Sequence, residues 1–178
     1  MANIYQIKMT LEGSKPPIWR RILIEDNIRL DALHRVLNAT MGWCDCHLWS
    51  FETGWESYGP KDPNWDDDFI DAKKHKLNQL LSEEGQKIQY VYDFGDDWRH
   101  LLTLEKILPK EKGQKYPQCI KGKGNCPPED CGGIWGFAEL LKVIKDKKHP
   151  EHDDMMEWLD EEYDPQYFDL EEINQRLR

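Results

Sequence analysis

The sequence predicts an α+β fold: two N-terminal strands, a helix, further antiparallel strands in one mixed sheet, and C-terminal helices packed on that sheet. A β-grasp-like core is the preferred topology, and residues 1–178 form a single domain. Three observations carry this. Apolar residues alternate with period two near the N-terminus and again over 87–108, a helical apolar stripe runs from Leu30 to Met41, and helix-forming segments gather at the C-terminal end. No internal repeat or low-complexity linker divides the chain.

Each element follows from its residues. Tyr5, Ile7, Met9 and Leu11 share one face of a strand over 4–11. Gly13-Ser-Lys-Pro-Pro17 then turns the chain, and Ile18, Arg20, Ile22 and Ile24 alternate with Trp19, Arg21 and Leu23, so the two strands read as a hairpin. Leu30, Leu33, Val36, Leu37 and Met41 follow helical spacing and stop at Gly42, a helix-ending residue. His47 to Thr53 reads as a third strand, Gly54 to Ala72 as an acidic and aromatic loop, and Leu77, Leu80 and Leu81 as a short helix. Lys87–Asp93 and Trp98–Leu108 form a second hairpin across Phe94-Gly-Asp-Asp97, because Gly and Asp tolerate the positive φ of tight turns. Residues 109–133 make a long Lys/Gly/Pro/Cys loop, expected to be ordered by burial of Tyr116, Ile120 and Pro127. Helices follow near 134–146 and 152–160, and a last one opens at Asp169 with Glu172 completing a capping box.

Composition narrows the class. At this length a domain buries roughly 70 % of its unfolded surface, which is enough for its own core. Eight Trp supply anchors, and 33 % charged residues supply a well-solvated surface. Mean hydropathy is -0.83. No run approaches a membrane span and the N-terminus lacks a secretory apolar stretch, so a soluble, cytoplasmic protein with no membrane association is expected. In that compartment the five cysteines are expected to be free, metal-binding or reactive rather than paired.

The net charge of -10 is uneven: Glu151 to Glu172 holds 11 acids and no Lys or Arg, leaving 24 bases against 23 acids elsewhere. Lys106 to Lys123 holds six lysines against Glu111. That loop has no Arg and few aromatics, and the acidic tail repels polyanions, so the charge pattern argues against nucleic acid as a partner.

Several chemistries are weighed at the motifs. Asp93-Phe-Gly95 has a kinase look, but no glycine-rich phosphate loop or His-Arg-Asp motif accompanies it, so a hairpin turn is expected. Asp62, Asp66, Asp67, Asp68 and Asp71 lack calcium-loop spacing and read as a solvated loop. No nucleophile elbow surrounds any Ser. Cys119, Cys126 and Cys131 are spaced so that three thiolates with a fourth ligand would make a tetrahedral zinc site, the fourth coming from His47, His100, Cys44 or Cys46. Free or buried thiols are the competing reading. Glu129 and Asp130, just before a helix, suit acid–base or metal-ligand roles, while Gly132 and Gly133 permit close approach of backbone. Acids favouring the helix dipole are the alternative there.

Pro-Pro-Ile-Trp-Arg-Arg (16–21), Leu33-His34 through Gly42-Trp43, His47-Leu-Trp-Ser-Phe51, Tyr92-Asp-Phe-Gly-Asp-Asp-Trp-Arg-His100 and Cys126-Pro-Pro-Glu-Asp-Cys-Gly-Gly133 arrive in a recognisable order. Over nearly the whole chain this resembles the plasmid pRiA4b ORF-three-like family, also labelled an insertion-element passenger TnpR-like protein. The resemblance implies an origin among plasmid, mobile-element and chromosomal proteins. It implies one shared surface for Asp93, Asp96, Trp98, His100, Glu129, Asp130, Gly132 and Gly133. The label implies recombination, yet no nucleophilic Ser among Arg residues and no basic DNA-reading helix is visible. The family often carries a His where this chain has Trp49.

Three functions are therefore compared. The leading one is a non-catalytic binding or accessory module that recognises a protein or peptide through an aromatic, acidic groove. The second is a metal-assisted, hydrolase-like enzyme using His100, Glu129, Asp130 and the cysteines. The third is a DNA recombination accessory factor. The sequence carries no signal of oligomeric state.

Overall fold

A computed structural model describes residues 2–62, 68–159 and 163–178. The first hairpin pairs β1 (Ile4–Leu11) with β2 (Ile18–Glu25), their alternate residues buried. α1 (Leu30–Met41) follows and buries Leu30, Leu33, Leu37 and Met41 on one face. β3 (Trp49–Thr53) and β4 (Glu56–Gly59) pair antiparallel, and the two-residue β5 (Ile70–Asp71) adds to β4 in parallel. After α2 (Leu77–Leu80), β6 (Lys87–Tyr92) and β7 (Trp98–Leu108) form the second hairpin, in register from Tyr92 opposite Trp98 to Lys87 opposite Thr103. β8 (Gln118–Lys123) closes the sheet; α3 (Gly133–Lys145), α4 (His152–Leu159) and α5 (Leu170–Arg176) end the chain. Among the described residues the sheet has eight strands in the order β5-β4-β3-β6-β7-β1-β2-β8. β1 is an interior strand, antiparallel to both β2 and β7.

The mixed sheet, the helix after the first hairpin and the C-terminal helices match the expectation. Several details differ. The 109–133 segment contains β8, an edge strand whose Lys and Gly hide its alternation. α5 covers that edge, with Asn174 exchanging two 2.9 Å hydrogen bonds with the Cys119 backbone. The segment read as a loop over 54–72 contains β4 and β5, and β3 begins at Trp49, leaving His47 in the preceding loop. Asp169 caps α5 by accepting from the N–H groups of Glu171 and Glu172, but Glu172 turns its carboxylate to Arg176 and Tyr167 and leaves the capping box unmade. Of the acidic loop, Asp66 and Asp67 lie outside the described residues. Asp71 caps a short 3-10 turn, accepting from the Lys73 N–H at 3.0 Å.

Arg20 sits among the core-facing residues of β2, only 3 % exposed. Its guanidinium donates to the carbonyls of Trp19, Lys123 and Gly124 and stacks over Phe168, so a buried charge is spread over backbone dipoles that fasten β8. No helix among the described residues is long and apolar enough to cross a membrane.

Candidate metal centre

Three connecting segments meet at one end of the sheet: the α1–β3 loop, the β6–β7 turn and the loop before α3. Each is fixed by local chemistry. Gly42 ends α1 with a left-handed φ of 100°, and the next residue, Trp43, turns inward to 7 % exposure. Its ring stacks on Tyr92 at 5.0 Å and meets His100 edge-on at 5.4 Å, and its Nε1–H donates to the Pro127 carbonyl at 3.0 Å. The core thereby holds the third segment through one indole. Asp45 places Oδ1 2.5 Å from His34 Nε2, while His34 Nδ1 lies 2.8 Å from the Tyr90 hydroxyl. Burial lowers the pKa of His34, and the Asp45 carboxylate works against that shift.

The β6–β7 turn is held by its aspartates. Asp93 and Asp97 take the positive φ values, 57° and 55°, and the Asp97 N–H donates to the Asp93 carbonyl at 2.6 Å. Asp93 Oδ1 accepts from the Gly95 N–H at 2.9 Å, which leaves Oδ2 facing His47. The third segment locks onto the turn, since Gly132 N–H donates to Asp96 Oδ2 at 3.2 Å. A Cβ on Gly133 would lie 2.1 Å from the Asp96 carbonyl oxygen, so only glycine allows this approach.

The result is a ring of ligand atoms. His47 Nδ1 lies 3.7 Å from Asp93 Oδ2 and His47 Nε2 lies 3.4 Å from Asp130 Oδ1. One ligand atom from each of His47, Asp93 and Asp130 lies within 4.8 Å of the others. Two atoms bound to one ion at about 2.1 Å, at tetrahedral to octahedral angles, are roughly 3–3.5 Å apart. The two carboxylates face opposite nitrogens of the His47 ring, so an ion held on one nitrogen requires the farther carboxylate to swing toward it. The Asp93 side chain is 10 % exposed and that of Asp130 is 73 % exposed, so the ring has a buried floor and an open side.

Beside it stands a second group, Cys44, Cys46 and Glu129, whose ligand atoms also lie within 4.8 Å of one another. Cys44 and Cys46 form a disulfide, contrary to the expectation of unpaired thiols. Asp45 alone separates them in sequence, and the loop that presents His47 sets them face to face. Tyr92 links the two groups: its hydroxyl donates to Glu129 Oε1 at 2.8 Å, accepts from the Cys46 N–H at 3.2 Å, and its ring meets His47 edge-on. Burial, with the Glu129 carboxylate, raises the pKa of Tyr92 and keeps it a donor.

Asp93, Asp96, Glu129, Asp130, Gly132 and Gly133 do converge here. Trp98 and His100 do not reach the surface, being 1 % and 0 % exposed beneath Trp43. They occupy the inward-facing positions of β7 with Leu102 and Leu104. Desolvation lowers the pKa of His100 to about 4, and neither ring nitrogen makes a hydrogen bond of good geometry, although the Tyr90 and Trp98 backbones lie close. The sulfurs of Cys119, Cys126 and Cys131 do not gather into a common ligand group. Cys119, on β8, is fully buried; burial pushes the Cys126 thiol up and the Cys131 thiol up to about 12, so both stay protonated. Trp49 lies against His34, ring centroids 4.1 Å apart, inside the core.

A cavity of about 350 Å³ opens beside Asp130, between α3 and α4, with Leu140, Met155 and Trp158 as apolar lining and Glu151 and Asp154 as acidic lining. Trp135 on α3 is 85 % exposed and Phe94 in the turn is 43 % exposed.

Comparison with known proteins places this geometry in a family context. The chain is 35 % identical over 179 residues to the uncharacterized protein y4hQ of Sinorhizobium fredii, with 99 % of this chain and 92 % of the relative covered. It superimposes with a TM-score of 0.89 on the crystal structure of the protein of unknown function MM3350 from Methanosarcina mazei Go1, at 40 % identity and covering 96 % of this chain and 97 % of that one. The model of the plasmid pRiA4b ORF-3-like family matches residues 3–172, and the chain belongs to that family.

Proposed function

We propose that this protein is a metal-dependent enzyme of hydrolytic type, with one divalent cation held by His47, Asp93 and Asp130. The observation that carries the reading is the convergence of one imidazole and two carboxylates, from three separate segments, within 4.8 Å. Three protein ligands on an open rim leave coordination positions for water, the pattern of catalytic sites, whereas structural sites are closed by four. An oxygen-rich set with one imidazole suits manganese, iron or zinc. A cation held there would lower the pKa of a bound water and polarise a substrate carbonyl or phosphoryl oxygen. The adjoining cavity, acidic at Glu151 and Asp154 and apolar at Trp158 and Met155, suits a substrate with an apolar body and a cationic group.

This takes up the metal-assisted alternative with a different residue set: Asp130 stays, His47 replaces the buried His100, and Asp93 is added. Two carboxylates flanking an imidazole also make a plain polar cluster without a metal, and a metal titration separates the two. Metal-free protein titrated with manganese or zinc should take up one equivalent at this site, and His47→Ala, Asp93→Asn and Asp130→Asn should each weaken that uptake by about tenfold or more. Metal-dependent turnover of ester, phosphoester or amide substrates, lost in the same variants, then tests catalysis. Uptake unchanged in all three variants would overturn the assignment.

A second reading has its own support. Exposed Trp158 in the lining of the acidic cavity, with exposed Trp135 on the same helix as the lining residues Gly136 and Leu140, favours a basic peptide or protein segment as the bound molecule, the non-catalytic binding module. In that case the site binds such a peptide with no turnover.

A further inference from the structure

We propose that Cys44, Cys46 and Glu129 form a second metal site, present in the dithiol state and abolished when the Cys44–Cys46 disulfide forms. The Cys44 N–H donates to Glu129 Oε1 at 3.2 Å, and Cys44 Sγ lies 2.7 Å from Glu129 Oε2. The Cys46 N–H is tied to the Tyr92 hydroxyl, which itself donates to Glu129. Asp45, anchored on His34, fixes the residue between the two cysteines. Both cysteines are exposed, so an ion and an oxidant or reductant reach them from solvent. Two thiolates and a carboxylate suit zinc better than the harder cations favoured at His47, and water completes a tetrahedral shell. The site is therefore distinct in chemistry from the His47 centre, although Cys46 and His47 are neighbours in sequence, as are Glu129 and Asp130.

The states interconvert by balanced steps. A small thiol reductant gives two electrons and two protons to the disulfide, which becomes two thiols while the reductant becomes its own disulfide. Zinc then binds the two sulfurs and two protons leave to solvent. A peroxide takes two electrons from the zinc-bound thiolates and, with two protons from solvent, becomes two waters (or water and an alcohol), while the sulfurs join and zinc leaves. In the disulfide neither sulfur is a thiolate, so zinc ligation there is lost.

The test uses the full chain, reduced and then freed of reductant without air, with cobalt as a spectroscopic probe and zinc as the metal. Reduced protein should show a thiolate-to-cobalt charge-transfer band in the near ultraviolet and hold one more equivalent of zinc than the disulfide form. Hydrogen peroxide should release that equivalent to a chromogenic chelator as two thiols disappear. The Cys44→Ser/Cys46→Ser variant should lack both the band and the release, and Glu129→Gln should weaken binding by about tenfold or more. His47→Ala should keep the band while losing the other equivalent, so failure of one site is distinguishable from failure of the other. A band that persists in the double serine variant, or reduced protein that holds no more zinc than oxidised protein, would overturn the proposal.

Discussion

Replacing Gly133 by Ala tests whether the close approach of two segments builds the metal centre. Gly133 has a φ of 65°, and its added Cβ would meet the Asp96 carbonyl oxygen at 2.1 Å, where ordinary contact begins at 3.4 Å, so about 1.3 Å must be opened. A non-glycine residue in the left-handed region costs about 1–2 kcal/mol, and forcing extra volume into a close contact costs about 1–3 kcal/mol. Gly133→Ala should therefore destabilise by about 2–5 kcal/mol in urea unfolding and lower Tm by roughly 5–15 °C. Gly85→Ala is the control: Gly85 has a φ of 90° with nothing within 4 Å of its Cβ position. That variant carries the backbone cost alone, about 1–2 kcal/mol. The difference between them measures the contact. Because Asp130 lies three residues before Gly133, parting the loop from the turn also draws it away from His47, and metal affinity should fall by about tenfold or more in Gly133→Ala and stay unchanged in Gly85→Ala. Equal stability of the two variants, with equal metal affinity, would refute the argument that this approach assembles the site.

Further variants report on the framework. Below pH 6.5 the unfolded chain takes up a proton on His100 that the native chain refuses until about pH 4, so stability is lost as pH falls across that window. At about 1.4 kcal/mol per unit the total is roughly 3 kcal/mol. His100→Leu should flatten the slope by that amount and cost less than about 1 kcal/mol near pH 7, since both ring nitrogens are already unsatisfied; an unchanged slope in denaturant titrations at several pH values would contradict this. Trp43→Ala should cost about 3–5 kcal/mol, while Trp43→Phe, which keeps a stacking ring but loses the bond to Pro127, should cost only about 1–2 kcal/mol. Arg20→Met should cost about 2–4 kcal/mol, because three backbone carbonyls lose their charged donor. Hydrogen exchange should then quicken along β8 before β1.

The strands that were legible share one property: one face is buried and the other is wet, so β1, β2 and β7 wrote their alternation into the sequence. α1 was legible for the same reason at a period of 3.6. β5 spans two residues and β8 is an edge strand of Gln, Lys and Gly, so neither carries a readable pattern, and only pairing with a neighbour makes each a strand. At the site, Glu129 and Asp130 stood out as acids just before a helix, and Asp93 and Asp96 came from the family resemblance. The inward register of Trp98 and His100 was available from Leu102 and Leu104 on the same face of β7. His47 was visible only as one possible partner of the cysteines, since its place depends on a loop whose direction is set by Gly42 and the burial of Trp43, and its neighbours Asp93 and Asp130 lie 46 and 83 residues further along the chain. The Cys44–Cys46 pairing was hidden by the expectation drawn from compartment, which addresses the redox environment and says nothing of two sulfurs one residue apart.

The most direct test of the metal centre is a crystal structure of the protein grown with manganese, with anomalous scattering used to find the ion. The account predicts one ion about 2.0–2.3 Å from a ring nitrogen of His47 and from carboxylate oxygens of Asp93 and Asp130, with water on the side facing the cavity. A manganese-saturated crystal with no anomalous peak at His47, or with the ion bound elsewhere on the chain, would contradict it.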